Sequence, residues 1–215
     1  MVATEYDVCN QALALLNLDP IVAYTDNRVE AVRLGMIFAQ SRDELLRMHP
    51  WNFATVRREL VTTADAGETD TIDDYPGDYL FVYVHPDDCL RVVKILDETN
   101  PDKTLPFQIA ANPFILDPTP PPTYIAAVKR ILTYNEDAVA EYIYQMTDVT
   151  IWDAHFVRLM AAYLALKLVP LRGKEDLRRW MLATYQQALL EAGVTDASEQ
   201  NRDVDRRPCR YKDAR

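Results

Sequence analysis

Residues 42–59 read RDELLRMHPWNFATVRRE, a charged amphipathic run that meets a proline and lands on aromatic side chains. Leu45, Leu46 and Met48 sit among Arg42, Asp43, Glu44 and Arg47, so a helix here has one apolar and one solvated face. Pro50 disfavours the α conformation at His49 and ends the helix there. Trp51 and Phe53 follow at once and carry a large apolar area that must be buried close to the break. The run contains no nucleophile–base pair, phosphate loop or metal cage. It is an architectural joint, and it requires the chain to turn where its aromatic density is highest.

On either side of that joint the hydrophobic period differs. Upstream, Val8, Ala12, Leu15 and Leu16 mark a first helix over 5–17, which Asp19-Pro20 ends. Asp26 or Asn27 can cap a second helix, with Glu30 in its first turn, and Ala31, Leu34, Phe38, Leu45 and Met48 continue the 3.6 period for about six turns. Downstream, 65–74 (DAGETDTIDD) is an acidic loop. Then YLFVYV (79–84), CLRVVKIL (89–96) and FQIAANPFIL (107–116) read as extended segments. DPTPPPT (117–123) is too proline-rich for a central strand. VKRILTY (128–134) and AVAEYIYQM (138–146) flank Asn135-Glu136-Asp137, which predicts a hairpin with a short turn.

Helical spacing returns at Asp153, a candidate cap, with Phe156, Leu159, Met160, Tyr163 and Leu164 on one face. Pro170 and Gly173 punctuate its end. Lys174 to Ala192 predicts a last helix with Leu177, Trp180, Met181, Tyr185, Ala188 and Leu189 as its stripe, and Gly193 as its C-cap. The expected fold is therefore α+β: an antiparallel four-helix bundle (1–60 and 150–200) with an inserted antiparallel β subdomain (61–149). Residues 201–215 would form an extended basic arm. They hold six Arg/Lys against three Asp, whereas residues 1–200 carry a net −13. Such a segment cannot bury a core and is expected to order only on a partner.

Charge and composition narrow the function. A net charge of −10 over 215 residues argues against wrapping duplex DNA by phosphate neutralisation. Only 5 glycines against 13 prolines leaves few phosphate-cradling loops and many stiff connections. Cys9, Cys89 and Cys209 are too far apart for a disulfide framework or zinc spacing, and inert thiols in a reducing cytoplasm are expected. The N-terminus lacks signal-peptide character, and no membrane span is expected.

The chemistry-bearing residues are scattered. His49, His85 and His155 each adjoin a break or a helix start and have no Ser or Cys partner in a local signature. The pairs Asp73-Asp74 and Asp87-Asp88 suit solvated turns better than acid–base or metal chemistry. Trp51, Phe53, Tyr79, Phe81 and Tyr83 are not interleaved with Lys or Arg, so packing is a better account than base stacking. No catalytic, cofactor-binding or metal-binding residue is assigned, and the chain is not expected to be an enzyme.

Several runs in order resemble the tail tubular protein A family, the head-to-tail adaptors of short-tailed bacteriophages. They are VCNQALALLNLDPI (8–21), EAVRLGMIFAQSRDELLRMHPWNFATVRREL (30–60), PDDCLRVVKIL (86–96), KRILTYNED (129–137), AEYIYQMTDVTIWDAHFVRLMAAYLALKLVPLRG (140–173) and ALLEAGVTDASEQ (188–200). The SRDELLR–HPWNFA stretch is the most specific, and NPFILDPTPPPTY (112–124) looks like an insertion. The resemblance implies a non-enzymatic virion protein, assembled in the host cytoplasm. It would form a ring, typically of twelve copies, with the portal on one side and the tail nozzle on the other. Genomic DNA would pass through without specific binding, and no membrane or cofactor is involved.

Within that expectation, a closed ring needs two complementary lateral faces. Trp51, Phe53, Trp152, Phe156 and Trp180 are candidates for the seam or joint, and Asp65, Glu68, Asp70, Asp73 and Asp74 for an acidic lumen or rim. Arg202, Arg206, Arg207, Arg210, Lys212 and Arg215 would dock on the portal. Two alternatives remain: a carboxylate-dependent phage hydrolase using Asp87, Asp88 and Glu141, and a small nucleic-acid-binding regulator using the arm and the strand aromatics.

Overall fold

A computed structural model describes residues 4–65, 75, 77–97, 103–112, 115–117, 123–124, 128–173 and 175–200. The chain divides into two compact units, one running up to Phe53 and resuming at Met146, the other spanning Ala54–Gln145.

The first unit holds four helices: α1 (Glu5–Leu15), α2 (Val29–Met48), α3 (Ala154–Leu168) and α4 (Glu175–Gln200). A capping box starts α1. The Thr4 hydroxyl accepts from Asp7 N, and the Asp7 carboxylate accepts from Thr4 N at 2.8 Å, satisfying two donors that the helix start would otherwise orphan. Asn10 then reaches across the following loop, exchanging both of its amide groups with the backbone of Ile21 at 2.8 and 3.0 Å. At α2 the expected Asp26 or Asn27 cap does not form. Arg28 stands at the N-cap without a side-chain bond, and Asp26 instead accepts from Val22 N inside the loop. At its other end α2 stops at Met48, and His49 is extended ahead of Pro50 (φ −138°, ψ 145°).

The four-helix bundle with an inserted β subdomain is not what forms. The protein is α+β, but α1, α2 and α4 each pack chiefly on α3 rather than around a common four-sided core. The reason lies in α3, which buries Phe156, Leu159, Met160, Ala161, Ala162, Leu164, Ala165 and Leu168. A helix apolar on nearly every side must be surrounded, so it becomes the hub. With the turn after it, α3 also reaches a mean hydropathy of 1.4 over the 18 residues Ala154–Leu171. That passes the length and composition of a membrane span, as the core helix of a folded protein also can, and half of the stretch is buried inside the protein. Helix α4 runs straight through Gly193 to Gln200 instead of ending there, and Trp180 falls off its buried face.

The second unit contains two antiparallel sheets. One has the order β1 (Thr55–Glu59), β9 (Ala138–Tyr144), β3 (Cys89–Asp97), β4 (Thr104–Leu105), and the other β2 (Phe81–Val84), β8 (Val128–Thr133), β5 (Phe107–Asn112). A short ribbon pairs β6 (Ile115–Asp117) with β7 (Thr123–Tyr124). Tyr83, Val92, Ile95, Leu105, Ile131, Ala140 and Tyr142 form a core shared by both sheets.

The predicted hairpin is absent: β8 pairs with β2 and β5, and β9 with β1 and β3. Ile131 and Leu132 are both buried although they point to opposite faces, so β8 lacks the one-sided pattern of a surface hairpin. The connection is a corner between sheets. The Tyr83 hydroxyl pins it by donating to Asn135 O at 2.7 Å and to Glu136 O. Strand β1, whose charged TVRRE sequence conceals it, lies at the start of the second unit, which begins at Ala54, seven residues before the expected boundary.

Candidate functional site

Phe156 is the centre of the aromatic joint. It is fully buried, with the rings of Trp51, Phe53 and Trp152 each about 5.1 Å away in edge-on geometry. Trp51 Nε1 donates to Leu45 O at 3.0 Å, tying the indole to the last turn of α2. Around this cluster, Asp196 of α4 accepts from Asn52 N at 2.8 Å and bonds His49 Nε2 at 2.9 Å, while Asn52 Nδ2 returns a bond to Asp196 O at 2.9 Å. The joint is thus a clasp that fixes α4 to the turn after α2. Trp51, Trp152 and Phe156 are consumed in this unit's own core and have no area left for a lateral seam, Phe53 is half-buried, and Trp180 alone of the five is exposed.

No catalytic constellation assembles among the described residues. His49 serves the clasp, His85 bonds Pro86 O with its basicity lowered by burial, and His155 lies at the start of α3. Asp88 accepts from the Tyr142 hydroxyl at 2.9 Å and pairs with Arg58 at 3.1 Å; Glu141 pairs with Arg57 and Lys94. Asp88 and Glu141 are thus engaged in structural hydrogen bonds and ion pairs.

Ser41 and Lys167 approach to 3.1 Å, the separation of a serine–lysine dyad. Ser41 is fully buried, however, and the ammonium of Lys167 is held by Glu44. The Glu44 carboxyl is in turn kept below its ordinary range by bonds from Lys167 and Tyr163. The arrangement is an ion pair in the helix packing. Cys9 is buried against Tyr24, and burial pushes its thiol up to about 11. No group of three or more His, Cys, Asp or Glu among the described residues could hold a metal ion.

What the unit leaves unexplained is exposed apolar surface. On α2, Val29 (66% exposed), Val32 and Met36 (74%) form a row opposite the buried row of Ala31, Leu34, Phe38 and Leu45. With Asn27, Arg28 and Arg33 they line a hollow of about 400 Å³. On α4, Trp180 (52%), Ala183, Leu190 and Val194 (both 70%) follow alternating steps of three and four residues through Gln187, opposite the buried Met181, Ala188 and Ala192. That spacing is the signature of a helix seam that expects a second helix. The sequence reading missed both rows because it assigned each helix a single stripe. The signal was present in α2 as a surplus of apolar residues beyond those one face requires.

Of the acidic candidates, Asp65 is described. It caps a tight turn by accepting from the Thr62 hydroxyl at 2.6 Å, beside Glu136 and Asp137 along a groove of about 470 Å³. Glu68, Asp70, Asp73 and Asp74 lie outside the described residues, as do Arg202, Arg206, Arg207, Arg210, Lys212 and Arg215. No protein-family model matches the chain, and no curated protein matches it.

Proposed function

We propose that this chain is a structural adaptor subunit of a short-tailed bacteriophage virion. It would form a ring between portal and tail nozzle and continue the DNA channel. The observation that carries the reading is the pair of exposed apolar rows on α2 and α4. A lone chain exposing this much ordered apolar surface on two helices is built for contact with protein. The resemblance of the SRDELLR–HPWNFA stretch and of the runs around it supplies the kind of assembly. The structural bonds of His49, His85, Asp88 and Glu141 favour this reading over a hydrolase, and the net charge of −10 favours it over a nucleic-acid-binding regulator.

In such a ring, acidic residues of the 65–74 segment suit the lumen, where they would repel DNA phosphates and let the genome slide. A ring structure with these carboxylates on the outer circumference would remove that assignment. The adaptor reading itself is tested by light scattering of the purified protein with and without its cognate portal, at two salt concentrations. Joining the portal in many copies is the expected result. A chain that ignores the portal and remains a small discrete species refutes it.

A further inference from the structure

The two exposed rows differ in shape and in flanking charge, and the difference suggests which meets which. The α2 row surrounds a hollow whose rim carries Arg28 and Arg33. Arg28 is held in place by its Nη1 donating to Asp19 O at 2.9 Å and Pro20 O at 3.1 Å. Arg33 makes no ion pair among the described residues. The α4 row is a projection led by Trp180, the one exposed tryptophan. One turn before it, on the same face, stands Asp176. Its carboxylate is fully exposed and lies 3.9 Å from the Arg179 guanidinium. Such an exposed pair is weak and readily exchanged.

We infer that the α4 row of one copy packs on the α2 hollow of the next, with Trp180 seated among Val29, Val32 and Met36 and Asp176 facing Arg33. This deepens the adaptor reading and rests on it for the ring, although the pairing of the two faces can be tested separately. Three observations select a second copy as the occupant. Projection and hollow are both apolar and belong to the same unit, so every copy presents both. The hollow's rim is basic, and the carboxylate beside the projection supplies the opposite charge. An indole entering beside Arg33 also gains a cation–π contact.

Where this pairing leaves the other row of each copy free for a further copy, the contact is heterologous, propagates head to tail and closes into a ring when the rotation allows. A contact between two helices is smaller than the roughly 1,200 Å² of a stable binary complex. One pairing is therefore weak in isolation and is reinforced when each copy makes two.

Cross-linking at high protein concentration tests this on the full chain. In a Cys209→Ser background, with Cys9 and Cys89 buried, Met36→Cys and Ala183→Cys variants are prepared separately, mixed and treated with a short bis-maleimide. Both positions are exposed, and circular dichroism checks that each variant folds. Mixed dimers well in excess of either homodimer are expected. Arg33→Asp on the Met36→Cys partner should cut their yield about fivefold, and adding Asp176→Arg to the Ala183→Cys partner should restore it. Homodimers alone would mean a two-fold contact and overturn the pairing, as would no cross-linking at all or a yield indifferent to Arg33→Asp. Mixed dimers from a protein that fails to join the portal would leave the pairing standing and remove the adaptor function. Portal binding without mixed dimers would do the reverse.

Discussion

Replacing Asp196 separates the clasp from ordinary helix packing. Its carboxylate is nearly buried, accepts from the backbone N–H of Asn52 at 2.8 Å, and bonds His49 at 2.9 Å. Asp196→Ala deprives the Asn52 N–H of a charged acceptor; Asn52 is itself exposed and water can take that place, so the loss is about 1 kcal/mol. The His49 bond adds less than about 1 kcal/mol, because that ring is one-third exposed and screened by water. The reciprocal bond from Asn52 Nδ2 goes to the backbone carbonyl of Asp196 and survives the change. The expected total is about 1–2 kcal/mol.

Asp196→Asn keeps an acceptor for Asn52 N and removes a negative charge from near the C-terminal end of α4, where the helix dipole disfavours it. It should cost less than about 1 kcal/mol. Trp51 lies inside the joint, so urea unfolding followed by tryptophan fluorescence reads this unit directly. The alanine variant should lower the midpoint by about 0.5–1 M at a slope typical of domains this size. An alanine variant within about 0.5 kcal/mol of the parent, or an asparagine variant as damaged as alanine, would refute the account of the clasp.

Acid should weaken the helical unit through Glu44. Its folded carboxyl titrates below the ordinary value of 4.5, chiefly because Lys167 and Tyr163 bond the charged form. The associated stability is fully present above 4.5 and is lost as pH falls through the lower folded value. Thermal melts between neutral and strongly acidic pH should show that loss in the parent and a flatter profile in Glu44→Gln. In the second unit, Tyr83→Phe removes the hydroxyl that pins the corner between sheets and should cost about 1–2 kcal/mol in chemical denaturation; a silent substitution would mean the corner is held by packing alone. Deleting residues 201–215 should weaken portal binding and reduce its salt dependence, and binding unchanged at every salt concentration would exclude the arm.

Local sequence chemistry determined the elements whose causes are local. Pro50 stops α2, and the 3.6-residue period places all four helices. Each depends on steric or hydrogen-bonding rules acting within a few residues. The capping of α2 departed from expectation because Asp26 found a better acceptor role inside its own loop.

Tertiary structure decided what no local rule contains. The sequence marks α3 as apolar, but only the assembled unit makes it a hub and so excludes a regular bundle. Segments 128–133 and 138–144 look like two arms of a hairpin, yet burial on both faces of β8 and the Tyr83 hydroxyl send them to different sheets. Asp196 and His49, 147 residues apart in the chain, meet only once α4 passes Gly193 and reaches the joint. The same long-range packing selects which aromatics become core and which become surface. Trp51, Trp152 and Phe156 close around one another, whereas Trp180 is left facing outward because α3 already fills the opposite side of α4. Periodicity shows that a helix has an apolar face. It cannot show how many such faces the rest of the fold will cover, and on α2 and α4 the fold leaves a second apolar row exposed.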